Sequence, residues 1–174
     1  MSLSRVCLLL LLSSFSSQLA FAQFDAAGFK QALKVKRNAY TGEGSISGGD
    51  RASSDFRVAQ IRVAANAEGY DRLVIELQGN EAGEKTTLAR PPFYLVENDP
   101  SNKRLVVTLY GKAKLDFSRQ TATQQVKKTK ISNLDFLPVL DPDRWSFVVH
   151  TQVPIKAEVF ELSAPARIII DLKP

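Results

Sequence analysis

Arg72-Leu73-Val74-Ile75-Glu76-Leu77 places an apolar side chain at every second position, and the pattern recurs at Arg104-Leu105-Val106-Val107-Thr108-Leu109, Arg144-Trp145-Ser146-Phe147-Val148-Val149 and Arg167-Ile168-Ile169-Ile170-Asp171-Leu172. A period of two is the signature of a strand with one face buried. Successive side chains point to opposite faces, so each segment sorts into two sets. Leu73, Ile75 and Leu77 fall on one face, as do Leu105, Val107 and Leu109, then Trp145, Phe147 and Val149, then Ile168, Ile170 and Leu172. That set is the expected core, and every leading arginine falls on the outward side.

The four segments also pair. Asp71-Arg72 matches Asp143-Arg144, and the stretch from Pro92 that leads to Arg104 matches the stretch from Pro154 that leads to Arg167. Two related halves are implied. Outward from these segments the chain continues as short runs of Val, Ile, Leu and aromatic residues, broken by Gly, Pro, Asn and Asp. Strands are expected at Arg57 to Ala64, Arg72 to Leu77, Phe93 to Glu97, Arg104 to Tyr110, Asn133 to Leu137, Arg144 to Thr151, Ile155 to Leu162 and Arg167 to Leu172. Helical periodicity is confined to a weak signal around Thr121 to Lys130. The fold class is all-β over residues 55–174, and so many short strands point to a sandwich or a barrel.

Upstream, the composition changes. Residues 41–54 read TGEGSISGGDRASS, the composition of a linker. Residues 23–40 carry Phe24, Phe29 and Leu33 among lysines, fitting a short amphipathic helix or a mobile tail. Residues 1–22 carry Arg5, an apolar run around Leu8 to Leu12 and a closing Ala20-Phe21-Ala22. That is the organisation of a secretory signal peptide cleaved after Ala22, with an apolar core too short to span a bilayer. A periplasmic or secreted location follows, and no later stretch reads as a transmembrane segment. Cys7 is the only cysteine and lies in the segment to be removed, which excludes disulfides, a thiol nucleophile and thiolate metal sites. Loss of Arg5 lowers the formal charge from +5 to +4, a modest excess that favours acidic surfaces. The basic residues are interleaved with acids, so nucleic acid is not an expected partner.

The run Ile61-Arg62-Val63-Ala64-Ala65, then Glu68-Gly69-Tyr70-Asp71-Arg72-Leu73-Val74-Ile75-Glu76-Leu77, then Arg104 through Ala113, and finally Pro165-Ala166-Arg167-Ile168-Ile169-Ile170-Asp171-Leu172, resembles AMIN and AMIN-like domains. The resemblance covers Arg57 to Pro174. It implies a small β-sandwich of two related sheets in an exported protein, and for the AMIN domains that accompany murein amidases and pilus secretins it implies localisation to the wall by binding peptidoglycan. A departure from the amidase arrangement is expected, with no catalytic domain after Pro174.

Catalytic chemistry finds little support. His150 is the sole histidine, which excludes a histidine-rich zinc site; it reads as an ordinary residue at a sheet edge, and no Gly-x-Ser-x-Gly turn accompanies it. Glu76 and Asp171 occupy equivalent positions in two segments and are a conceivable carboxylate pair for glycoside cleavage, but cross-strand balancing of arginines explains them as well. Arg72, Arg104, Arg144 and Arg167 have two uses: pairing with neighbouring carboxylates, or forming a row of guanidinium groups on one face that holds carboxylates or phosphates of a ligand. Trp145 is expected in the core. Tyr70, in the turn before Arg72, together with Tyr94 and Tyr110, is expected to be exposed for stacking on glycan rings. Lys127, Lys128 and Lys130 read as a solvated loop.

The sequence thus describes a non-catalytic cell-envelope binding module, with no cofactor or metal. Its expected partner is peptidoglycan or another anionic wall polymer. An adaptor that offers a sheet edge to an envelope protein is the alternative, and a carrier of a small apolar ligand is a third, which needs a wide cavity in place of a filled core.

Overall fold

The computed structural model describes residues 29–32, 34–51 and 55–174. The expected signal peptide, residues 1–22, and Phe24 and Leu33 lie outside them. The strands are β1 (Phe29–Gln31), β2 (Gly44–Gly48), β3 (Asp55–Ala65), β4 (Asp71–Glu81), β5 (Glu84–Thr86), β6 (Tyr94–Asp99), β7 (Arg104–Tyr110), β8 (Lys112–Leu115), β9 (Ile131–Phe136), β10 (Arg144–Thr151), β11 (Lys156–Leu162) and β12 (Ala166–Lys173). Helix α1 (Arg119–Gln125), capped by Ser118, continues into a 3-10 turn at Val126–Lys128. That turn occupies most of the expected lysine loop, at the place where the weak helical signal lay.

Two sheets pack face to face. Sheet A has the order β1-β2-β6-β7-β10-β9 and sheet B the order β11-β12-β4-β3-β8, with β5 hairpinned onto β4. Trp145, Phe147, Leu105, Val107 and Leu109 from sheet A meet Leu73, Ile75, Leu77, Ile168 and Ile170 from sheet B in one buried core. The inward set sorted by alternation is the core that forms. Burial of these large side chains contributes roughly 1.5–3 kcal/mol each, and the half-buried Phe117 and Phe136 pack against Trp145 and Phe147 in a continuous aromatic cluster at its margin.

The internal echo has a structural counterpart. Antiparallel β3-β4 and β6-β7 form one half, and antiparallel β9-β10 and β11-β12 the other. The halves are exchanged: β12 of the second pairs with β4 of the first in sheet B, and β7 of the first pairs with β10 of the second in sheet A. Each sheet is therefore built from both halves. The two central registers differ by two residues. Arg72 faces Asp171, whereas the equivalent Arg144 faces Tyr110.

Residues 44–48 correct the expectation of a linker. They form β2, antiparallel to β6, and Ile46 enters the core. The glycines of this stretch serve close packing. A Cβ on Gly48 would lie 2.5 Å from the Tyr94 hydroxyl, and Gly49, at φ +84, would carry one 2.1 Å from the Pro92 carbonyl oxygen. A composition that signals flexibility when isolated is here the condition for fitting a strand against crowded neighbours. In residues 34–40 no helix forms; they make the crossover between β1 and β2, which pair in parallel.

Candidate functional site

The four leading arginines do not form one row. Arg104 and Arg144 lie on the outer face of sheet A, and Arg72 and Arg167 on the outer face of sheet B, on opposite sides of the sandwich. The cause is the exchange of halves, which pairs the arginine-led strands antiparallel and sends same-facing arginines to opposite ends. Arg144 is level with Tyr110 and Arg104 with His150, six residues along β7, or roughly 20 Å at the rise of a strand. Arg72 and Arg167 are level with Asp171 and Glu76, four positions apart.

Two of the three tyrosines are also corrected. Tyr94 is 0% exposed: it points inward from β6 and contacts Glu161 through its hydroxyl at 3.3 Å. Burial pushes its phenol well above the ordinary range, with the Glu161 charge adding to the effect. Tyr70 is 6% exposed, beneath the cations of Lys36 and Arg72. Only Tyr110 keeps a half-exposed ring.

Tyr110 belongs to a platform on the outer face of sheet A. Phe93 points outward because Tyr94 points inward, and its ring centroid lies 5.2 Å from that of Tyr110. The guanidinium of Arg51 sits 4.7 Å over the Phe93 ring. Backbone hydrogen bonds hold this arrangement: Tyr110 N–H donates to Phe93 at 2.9 Å, Phe93 N–H to Asp50 at 2.9 Å, and Asp50 N–H to Pro91 at 2.8 Å. Arg144 closes the other end as the cross-strand neighbour of Tyr110. It is 59% exposed and pairs with Asp141 at 2.9 Å, itself well exposed. The row Arg144–Tyr110–Phe93–Arg51 thus offers an apolar aromatic step with a cation at each end. Phe93 and Arg51 escaped the sequence reading. Alternation within residues 93–97 permits only one of Phe93 and Tyr94 outside, and Arg51 sat in a stretch taken for linker.

The outer face of sheet B is organised differently. Asp171 is 0% exposed yet accepts from Arg72 through both carboxylate oxygens, at 2.7 and 2.9 Å, and from the Lys36 ammonium at 2.5 Å. Lys36 also reaches the Tyr40 hydroxyl at 3.3 Å and sits 3.6 Å from the centre of the Tyr70 ring. Its pKa is raised above the ordinary 10.5: burial opposes the charge, and hydrogen bonds to Asp171 and Tyr40 outweigh it. Directly opposite Asp171 on β11 stands Glu158, 1% exposed, which accepts from the N–H groups of Arg37 and Ala39 at 2.7 and 3.2 Å. A groove of about 230 Å³ between β3 and β4, lined by Arg62, Ala64, Arg72 and Val74 among others, adjoins the cluster.

The carboxylates singled out for catalysis are engaged. Glu76 meets Arg62 at 3.4 Å, and Asp171 is locked as described. They stand four residues apart on adjacent strands, roughly 13 Å by strand rise, wider than the spacings of retaining or inverting glycosidases. His150 lies on β10, an interior strand rather than an edge, 3.5 Å from Asp135. Among the described residues, no group of three or more His, Cys, Asp or Glu is placed to hold a metal, and no helix is long and apolar enough to cross a membrane. No family model matches the chain, and no curated protein matches it.

Proposed function

We infer that the protein is an exported, non-catalytic binding module of the cell envelope, retained on peptidoglycan or another anionic wall polymer by the outer face of sheet A. The observation that carries this reading is the row Arg144–Tyr110–Phe93–Arg51. Aromatic faces suit the C–H face of a sugar ring, and a guanidinium at each end suits the carboxylates of wall peptides or the phosphates of wall polymers. The leader-like residues 1–22 and the resemblance of residues 57–174 to AMIN-like domains support the same direction. The surface holds its ligand and turns nothing over.

Co-sedimentation of the protein with insoluble peptidoglycan across a salt series tests the reading. The wild type is expected in the pellet at low salt, with retention falling as salt rises because the guanidinium contacts are screened. A folded Phe93→Ala/Tyr110→Ala variant is expected to lose at least tenfold in retention. A wild type that stays in the supernatant at low salt removes wall binding. In that case the adaptor reading takes its place, and one feature favours it: Leu137, Val139 and Leu140 are exposed, Leu140 to 87%, on the loop following the edge strand β9.

A further inference from the structure

The cluster on the outer face of sheet B has the composition of a ligand site with its ligand already in place. Its floor is the pair Asp171 and Glu158, cross-strand neighbours that are both almost wholly buried. Carboxylates at this depth require cations or several hydrogen bonds to remain charged. Arg72 supplies one cation, fixed on Asp171 by two hydrogen bonds. The second cation is the Lys36 ammonium, which comes from outside the sheet. Glu158 Oε2 is buried and has no hydrogen-bond partner, so the floor retains unused acceptor capacity on the strand next to Asp171. Tyr70 supplies a wall, its ring 3.6 Å from Lys36 Nζ, and Tyr40 contributes a hydroxyl at 3.3 Å. A compact ammonium against an aromatic face is a favourable pairing, and one that a carboxylate completes.

The segment that carries Lys36 is weakly attached. Residues 34–40 have no regular secondary structure and none is buried. Besides Lys36, its hold includes the two amide bonds to Glu158, the reciprocal pair of 2.8 Å hydrogen bonds between Thr41 and Ala157, and the Lys173 ammonium 5.6 Å over the Tyr40 ring. Segments attached by a few polar bonds, without apolar burial, open at the low end of a protein's stability range. Both ends of this crossover stay tied to sheet A through β1 and β2. A lifted Lys36 therefore returns at an effective concentration on the order of millimolar.

We propose that this cluster is a binding site for a primary alkylammonium group, occupied in cis by Lys36 and open to a ligand ammonium on a flexible aliphatic stem when the crossover lifts. A lysine or other diamino-acid side chain presents that chemistry. Asp171 takes the charge, Tyr70 packs the ammonium face, and Arg72 holds Asp171 in position. The site is independent of the aromatic platform on the opposite side of the sandwich, and either can fail without the other.

The test uses n-butylammonium, which matches the lysine stem, and the full chain carrying Lys36→Ala. The variant is expected to gain thermal midpoint on addition of millimolar n-butylammonium, with an apparent affinity at least tenfold tighter than the wild type's. It is expected to ignore 1-butanol, which has the stem without the charge, and Lys36→Met, which refills the stem space, is expected to ignore n-butylammonium. Equal responses of Lys36→Ala and wild type, or stabilisation by 1-butanol as large as that by the amine, would overturn the proposal. A second reading needs no variant. In the wild type, n-butylammonium should speed hydrogen exchange at the amides of Arg37 and Ala39 more than equal sodium chloride does, and identical exchange in the two salts contradicts the site.

Discussion

Arg72 and Arg144 begin equivalent strands of the two halves, yet one is locked on a buried carboxylate and the other stands exposed beside an aromatic ring. Arg72 faces Asp171, a buried carboxylate that binds it through two hydrogen bonds and draws Lys36 in from the crossover segment. Arg144 faces Tyr110 and finds its carboxylate, Asp141, only in the exposed turn before it. A two-residue difference in register separates the two outcomes. Because side chains alternate, a two-residue shift keeps both arginines outward while changing what each one faces. The outer face of sheet B is thereby closed by charge pairing and a strap, and the outer face of sheet A is left with an aromatic step flanked by cations.

The contrast can be broken most forcefully at the arginines themselves. Arg72→Ala leaves Asp171 buried with Lys36 alone, and urea unfolding should show a loss of about 3 kcal/mol, at the low end for a broken buried pair because one cation remains. Arg144→Ala in the same assay should cost less than about 0.5 kcal/mol, as expected for an exposed ion pair. Glu158→Ala comes next. It withdraws the acceptor of two crossover amides and should cost about 1–2 kcal/mol, with faster hydrogen exchange localised to Arg37 and Ala39. Tyr110→Asp sharpens the comparison by giving Arg144 a carboxylate neighbour, as Arg72 has. The new cross-strand pair adds about 0.2–1 kcal/mol and the lost ring contact removes about 0.5–1.5 kcal/mol. Stability should therefore change little while retention on peptidoglycan falls.

The smallest expected effect is that of pH on the strap. Lys36 has a folded pKa above its ordinary 10.5, so its contribution is fully present below 10.5 and is lost only as pH rises through the higher folded value. Exchange at Arg37 and Ala39, corrected for the intrinsic rate, should be flat between pH 6 and 9. A loosening inside that window would show that Lys36 is not the group holding the segment.

Much of this fold could be read from alternation alone. All eight expected strands form, and the inward positions of the four arginine-led strands make the core. The elements missed were β1, β2, β5 and β8, of which β2 ends at Gly48 and is followed by Gly49, where composition points to a flexible linker and only the proximity of Tyr94 and Pro92 explains the glycines. The sites were less legible, because alternation gives the face of a side chain but not its cross-strand neighbour. Arg72 and Arg144 look identical in sequence, and the pairing of halves that sets their partners is a long-range property. The likeness of Asp71-Arg72 to Asp143-Arg144 anticipated two halves but not their exchange. Tyr94 was misplaced for a simpler reason: an aromatic at a strand edge was assigned by chemistry, while alternation against Phe93 would have left room for only one of the two outside.

The most direct test of the account compares the two faces in one peptidoglycan co-sedimentation experiment at low salt, with Phe93→Ala/Tyr110→Ala on sheet A set against Lys36→Ala on sheet B, both checked for folding. The account predicts that the sheet A variant stays in the supernatant while the sheet B variant pellets with the wild type. Pelleting of the sheet A variant at the wild-type level would contradict it.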